Sequence, residues 1–278
     1  MRKNVWIITL FVLSLSFAYA ESETTKRVKR GVQLFKAGKY EKAYRLLRPC
    51  AEAGNPRAQF TVGLLYDMGS IKMMDKSRAV EWYRKAAEQG LADAQYDMGV
   101  MFSKGEGIYK DLEEARRWYE KAAAQEHPYA LYNLGVVWER GYGVSPDILK
   151  ARAYYQRAAA LGVAKAAYNL GILYLQGKGV GRDMSAAARW FKQAAERGHA
   201  GAELHLGWLY QHGRGVDRNE TLAKRWYREA AYNGNAKGAW NYGVILEKEG
   251  SPEAKYWKAR GGKGGSNAGS RPFVINPE

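Results

Sequence analysis

The chain has 278 residues, 46% of them hydrophobic, a single cysteine and a formal net charge of +16. The length supports a sizeable core without covalent staples. Cys50 alone excludes an internal disulfide framework, and the strong positive balance favours anionic partners.

Arg2 and Lys3 precede the apolar run Val5 to Leu15, and Ala18-Tyr19-Ala20 follows it. A basic start, a short apolar core and small residues at −3 and −1 predict a Sec-type signal peptide cleaved between Ala20 and Glu21. The apolar run is short for a membrane span, and no later stretch approaches twenty apolar residues. The expected mature protein therefore has no transmembrane segment and resides in the periplasm or outside the cell. Cleavage removes two cations and leaves about +14. Export argues against nucleic acid as the anionic partner. It leaves an acidic protein, or a cell-envelope polyanion such as a wall polymer or lipopolysaccharide.

Downstream, four glycine-rich stretches recur: GEGIYKD from Gly105, GYGVSPD from Gly141, GKGVGRD from Gly177 and GRGVDRN from Gly213, always 36 residues apart. Other columns keep that register. A glycine returns at Gly63, Gly99, Gly135, Gly171, Gly207 and Gly243, and an alanine at Ala58, Ala94, Ala130, Ala166 and Ala202. Aromatic pairs (Trp82-Tyr83, Trp118-Tyr119, Tyr154-Tyr155, Trp190-Phe191, Trp226-Tyr227) stand just ahead of paired alanines such as Ala86-Ala87 and Ala194-Ala195. A fixed period of this length is the mark of stacked supersecondary units. Cys50 lies one period before Ala86. It is expected in a small, buried column as an apolar filler, although an oxidising compartment also permits pairing with another chain.

Each unit reads as two helices. In KAAYNLGILYLQG, Ala166, Leu170, Leu173 and Tyr174 recur at offsets of three and four. The second helix follows Asp183, an N-cap candidate, and ends at Gly198. Asp111 with Glu114 predicts a capping box one unit earlier. Small residues at Ala166 and Gly171 let the two helices approach, and a bulky side chain in the glycine column should cost about 1–3 kcal/mol. The G-x-G stretches join helix to helix with no preceding strand. They predict turns needing positive φ rather than phosphate cradles. The first copy, GSIKMMD, has Ile71 in place of the second glycine.

The pattern A-x-x-x-L-G-x-x-Y-x-x-G-x-G-V, followed by D-x-x-x-A-x-x-W-Y-x-x-A-A-x-x-G, resembles the Sel1-like repeat family, relatives of tetratricopeptide repeats. The resemblance implies an all-α fold: a right-handed α–α superhelical solenoid of antiparallel helix pairs. The expected organisation is a leader over 1–20, a degenerate capping repeat over 21–56, five full repeats over 57–236 and a truncated repeat over 237–260. A flexible Gly-rich tail over 261–278 completes the chain. Glu126 replaces the helix-ending glycine of one copy. The last residues, RPFVINPE, carry an apolar cluster at Phe273, Val274 and Ile275, read either as a frayed end or as a segment that docks on a partner or on the final helix.

No catalytic constellation assembles. His205 and His212 lie seven residues apart on one predicted helix, about 10 Å along its axis, too far for one zinc; neither H-E-x-x-H nor paired cysteines occur. Cysteine-rich relatives of the family are described as β-lactam-binding or β-lactam-hydrolysing, but this chain lacks S-x-x-K, S-D-N, K-T-G and the cysteine pairs. The reading is a non-enzyme without metal or cofactor.

Aligned on the tetratricopeptide pattern, the first helices are expected to line a concave face. A mainly aromatic column (Phe60, Tyr96, Tyr132, Tyr168, Leu204, Trp240) and a polar column (Thr61, Asp97, Asn133, Asn169, His205, Asn241) point there. In the resembled domains asparagines at this position help hold peptide backbone, and Lys165 and Lys237 could pair with a carboxylate or phosphate. The columns could equally serve packing between repeats. The expected function is an exported protein-binding scaffold for a protein or peptide, acidic ones favoured, in envelope assembly, signalling or host interaction. An envelope enzyme and a polyanion-binding module are the alternatives. Replacing Asn133 and Asn169 is expected to weaken binding with little loss of stability.

Overall fold

Each 36-residue period becomes a helical hairpin because its two apolar stripes have helical spacing and are separated by a capped, glycine-containing turn. The computed structural model describes residues 22–69 and 75–265, and every regular element among them is a helix. The leader expected over 1–20, Ile71, and the segment from Ser266 onward lie outside the described residues.

Two compact units result. The first, ending at His127, contains α1 (Glu23–Lys36), α2 (Tyr40–Glu52), α3 (Pro56–Asp67), α4 (Lys76–Glu88), α5 (Ala92–Lys104) and α6 (Leu112–Ala124). The second, from Pro128, contains α7 (Pro128–Arg140), α8 (Ile148–Ala160), α9 (Ala164–Gln176), α10 (Met184–Ala195), α11 (Ala200–His212), α12 (Glu220–Tyr232), α13 (Ala236–Lys248) and α14 (Ala254–Gly265). Within each unit, consecutive helices pack on one another. This is the all-α repeat architecture that the period predicts.

In the five full repeats the second helix begins as expected, whereas α2 follows Lys39 with no side-chain cap. Asp183 Oδ1 accepts from the Ala186 N–H at 2.9 Å, and Asp75, Asp147 and Asn219 do the same at their helices. The capping box at Asp111 forms by half. Its carboxylate accepts from the Glu113 and Glu114 N–H groups at 2.9 and 3.0 Å. Glu114 does not reach back; it accepts from Arg117 at 2.7 Å. The Asp111 N–H instead donates to the Phe102 carbonyl at 2.9 Å. Equivalent bonds run from Asp147 to Trp138, Asp183 to Tyr174 and Asn219 to Tyr210. The cap residue thus closes the turn onto the first helix as well as starting the second.

GKGVGRD is a turn of this kind. Gly177 and Gly179 have φ of 69° and 67°, a left-handed conformation that glycine adopts without steric cost. Gly179 has a further reason: a Cβ there would run into Ile148 of the preceding pair. At the far end of the pair, α10 stops at Ala195, earlier than expected, and Gly198 makes the turn at φ 75°. Glu126 occupies the equivalent slot and takes φ 57° itself.

The core follows the small-residue columns. Ala58, Ala94, Ala130, Ala166 and Ala202 are wholly buried, as are the rings of Tyr83, Tyr155, Phe191 and Tyr227. The glycine column makes room for those rings. A Cβ on Gly63 would meet Tyr83 Cδ1 at 2.7 Å, on Gly99 Tyr119 Cδ1 at 2.5 Å, and on Gly171 Phe191 Cε1 at 2.5 Å. Each ring so buried contributes about 2–3 kcal/mol. Cys50 is buried too, its Sγ facing the Leu46 carbonyl at 3.8 Å, in the filler position expected for it.

One boundary moves. Gly261, read as the first residue of a flexible tail, is buried inside α14, which continues through Gly265. A Cβ at Gly261 would meet Trp240 N and Cβ at 2.7 Å. This glycine serves close packing rather than chain freedom.

Candidate functional site

Three of the four first helices of the second unit present one recurring stripe, which α11 interrupts with the buried side chains of Leu204 and His205. On α9, Lys165, Tyr168, Asn169 and Ile172 share a face, and on α13 so do Lys237, Trp240, Asn241 and Val244. On α7 the members are Tyr129, Tyr132, Asn133 and Val136. Lys165, Lys237 and Tyr129 are exposed and the other nine are half-exposed. α7 packs beside α9, and α13 packs beside α11. Tyr96, in the first unit, occupies the same position on α5.

Most of these side chains already have internal contacts. The aromatic column lies against the ring of its own second helix: Tyr96 on Tyr119 at 6.0 Å, Tyr132 on Tyr155 at 5.9 Å and Tyr168 on Phe191 at 5.8 Å between centroids. The asparagine column reaches back to the preceding pair. Asn169 lies near enough to the hydroxyls of Tyr132 and Tyr155, and Asn241 to that of Tyr227, to lower their pKa against the effect of burial. Burial drives the hydroxyl pKa of Tyr155 and Tyr227 far above the ordinary value, so both remain protonated donors. Tyr155 donates to Glu139 Oε2 and Tyr227 to Gln211 Oε1, each at 2.7 Å. Asn169 therefore supports packing, and its loss would carry a stability cost that the sequence does not suggest. An amide has two donors and an acceptor, so these contacts leave it capacity for a ligand.

The acceptors of the tyrosine hydroxyls form a structural column that sequence reasoning missed. Asp67, Ser103, Glu139 and Gln211 accept from Tyr83, Tyr119, Tyr155 and Tyr227, each sixteen residues further on. Where Phe191 replaces tyrosine, the acceptor position holds Leu175, also buried. That matched change was the available signal.

The histidines are structural. His199 caps α11, its Nδ1 accepting from the Ala202 N–H at 3.2 Å, and its ring stacks on Tyr168 at 4.4 Å. His205 Nδ1 bonds the Gly201 carbonyl at 2.8 Å while the ring stacks on Phe191 at 4.8 Å. Burial lowers both pKa values, leaving neutral imidazoles. Among the described residues no three metal-ligating side chains converge, and no helix is long and apolar enough to cross a membrane.

A family model for the Sel1 repeat matches five consecutive segments: 56–91, 92–127, 128–163, 164–199 and 200–235. The chain is a Sel1 repeat protein. Its register begins one residue earlier than the sequence pattern suggests, at Pro56. This Sel1 repeat protein shares 34% identity with the solved Sel1 repeat protein from Oxalobacter formigenes, with a TM-score of 0.79 over 85% of this chain and 99% of that one. It is 28% identical to c5321, a protective antigen present in uropathogenic Escherichia coli strains and displaying an SLR fold. There the TM-score is 0.81 over 92% of this chain, which spans 59% of the antigen's length. No curated protein matches it.

Proposed function

We propose that this protein is an exported, non-catalytic scaffold that binds an extended segment of a partner protein along the first helices of its second unit. The observation that supports this reading is the repeated stripe: a cation or tyrosine, an aromatic ring, an amide and an aliphatic side chain, all at least partly exposed, on α7, α9 and α13. An extended peptide presents backbone donors and acceptors to amides and alternate side chains to aromatic walls. Lys165 and Lys237 select acidic residues in it. Membership of a family of repeat scaffolds agrees with this use.

The test uses exposed residues, so that folding is preserved. Photo-cross-linking from positions 165 and 237 in cells that make the protein identifies the partner, whose affinity is then measured with purified chains. Lys165→Glu with Lys237→Glu should reduce affinity at least tenfold while the melting temperature stays within about 2 °C. Unchanged affinity rejects the first-helix face. Binding that collapses between 50 and 300 mM salt in wild type, and responds equally to cation loss on any helix, would assign the protein to polyanions instead. Export is tested by sequencing the N-terminus of the mature protein, expected to begin at Glu21.

A further inference from the structure

The last helix pair departs from the others where the glycine notch is filled. Gly63, Gly99, Gly135, Gly171 and Gly207 each receive an aromatic ring, whereas Gly243 receives the stem of Lys258, whose Cγ would lie 2.7 Å from an added Cβ. Lys258 Nζ reaches both oxygens of Glu247 at 2.9 Å. Glu247 stands one period beyond Gln211, in the column that elsewhere accepts from tyrosine. Hydroxyl and ring have been exchanged for an ammonium and its methylenes at the end of the array.

Beside this pair lies an open groove of about 770 Å³, lined by Trp240, Pro252, Ala254, Ala259 and Gly262, with Lys255 and Lys258 on its wall. Its volume falls in the range of ligand clefts, and Glu247 and Ser251 add polar groups to the lining. Trp240 explains why it is open. The equivalent rings of Tyr96 and Tyr168 lie under the imidazoles of His127 and His199, at 4.7 and 4.4 Å, each from the residue just before the first helix of the following pair. Among the described residues no helix follows α14, and the Trp240 ring is approached by Lys258 Nζ at 5.4 Å. Terminal repeats leave such a surface to be covered.

We propose that residues 271–278 of the same chain, RPFVINPE, lie in this groove as an extended segment, with Phe273 and Ile275 against Trp240, Ala254 and Ala259. The connection permits it. α14 ends at Gly265, one turn past Gly262 on the groove wall, and residues 266–270 can span up to about 17 Å. The sequence suits it as well. Pro272 and Pro277 hold the residues before them extended, and in an extended segment Phe273 and Ile275 point to one side. Arg271 and Glu278 at its two ends complement Glu247 and Lys255 beside the groove. The segment occupies Trp240 of the α13 stripe, so it competes with a partner there and leaves the stripes of α7 and α9 to that partner.

A full-length chain carrying Cys50→Ala, Ala259→Cys and Phe273→Cys tests the contact. Mild oxidation should give an intramolecular disulfide at monomer mass, at least tenfold faster than in a control with Asp217→Cys in place of Ala259→Cys. A dimer-mass product assigns the segment to a second copy. That result, or linkage no faster than the control, overturns the proposal. In the full chain with Phe273→Asp and Ile275→Asp, hydrogen exchange over 254–262 should accelerate at least tenfold while α7 to α11 stay unchanged. Unaltered exchange at α14 also overturns it.

Discussion

The two units use one hairpin and fill its polar slots differently. In the first, buried Gln59 and Gln95 donate to the carbonyls of Ala51 and Ala87 at 3.1 Å and accept from Gln89 and Gln125 at 2.7 and 2.9 Å. In the second, the same slots hold Leu131, Ala167 and then Glu203, a carboxylate 2% exposed and bonded by the Asn233 amide at 2.8 Å. The column on the first helices differs too. It holds Thr61 and Asp97 in the first unit, the latter near Asp67 and Asp93, and Asn133, Asn169, His205 and Asn241 in the second. Backbone period and glycine notch are therefore indifferent to the chemistry written on them, which is how a repeat fold keeps its shape while its surface is specialised.

The largest expected effect tests what the units share. Gly171→Val and Gly99→Val each push a branched side chain into a ring that starts 2.5 Å from the first added carbon. The loss should be about 3 kcal/mol in each unit, even though valine has the better helix propensity by a few tenths of a kcal/mol. Chemical denaturation followed by hydrogen exchange reads the two units separately. If one tolerates the change, the notch is not the common element.

The period, the caps and the notch were legible because each requires one residue type: glycine at positive φ or against a ring, Asp or Asn at a cap. The acceptor column was not, since Asp67, Ser103, Glu139 and Gln211 share only the ability to accept a proton bond from a tyrosine sixteen residues away. Nor was the helical run from Gly261 to Gly265, whose composition reads as linker until Trp240 is seen to need the space. For the candidate site, the sequence placed Tyr168 and Asn169 on one face. It could not show that Tyr132 and Tyr155 already claim part of the asparagine, because that contact crosses from one pair to the next.

The acidic slot of the first unit makes that unit's stability depend on pH. Burial, and then Asp67 and Asp93, push the half-buried Asp97 carboxyl up to about 7 from an ordinary 3.8. A raised acid favours the neutral native form. Its stabilisation is complete below the ordinary carboxylate pKa and is lost as pH rises through about 7. The first unit should weaken by on the order of 2 kcal/mol between pH 4 and pH 8, allowing for solvent screening. Asp97→Asn, the residue the second unit uses, should flatten that slope. A slope unchanged in the variant would locate the titration elsewhere.

Glu203 makes the reciprocal case in the second unit. Burial raises its pKa, Asn233 opposes the rise, and Glu229 adds to it. Stability from the neutral form is again present below the ordinary carboxylate range and lost as pH rises through the raised value. Glu203→Gln restores the donor that Gln59 and Gln95 supply. It should gain roughly 1 kcal/mol at pH 8 and nothing at pH 4. A gain of equal size at both pH values would mean that packing, not ionisation, separates the two residues.

The smallest effect asks whether the matched pair Phe191 and Leu175 is a real exchange for tyrosine and acceptor. Phe191→Tyr alone buries a hydroxyl facing Leu175 and should cost about 1 kcal/mol. Leu175→Gln alone buries an amide with no tyrosine to meet and should cost a similar amount. Together they rebuild the Tyr227–Gln211 bond of the next pair, so the double variant should recover about 0.5–1 kcal/mol relative to the sum of the singles. Strict additivity would show that the sixteen-residue pairing is coincidence, and that His205, stacked on Phe191, is what holds the ring in this one pair.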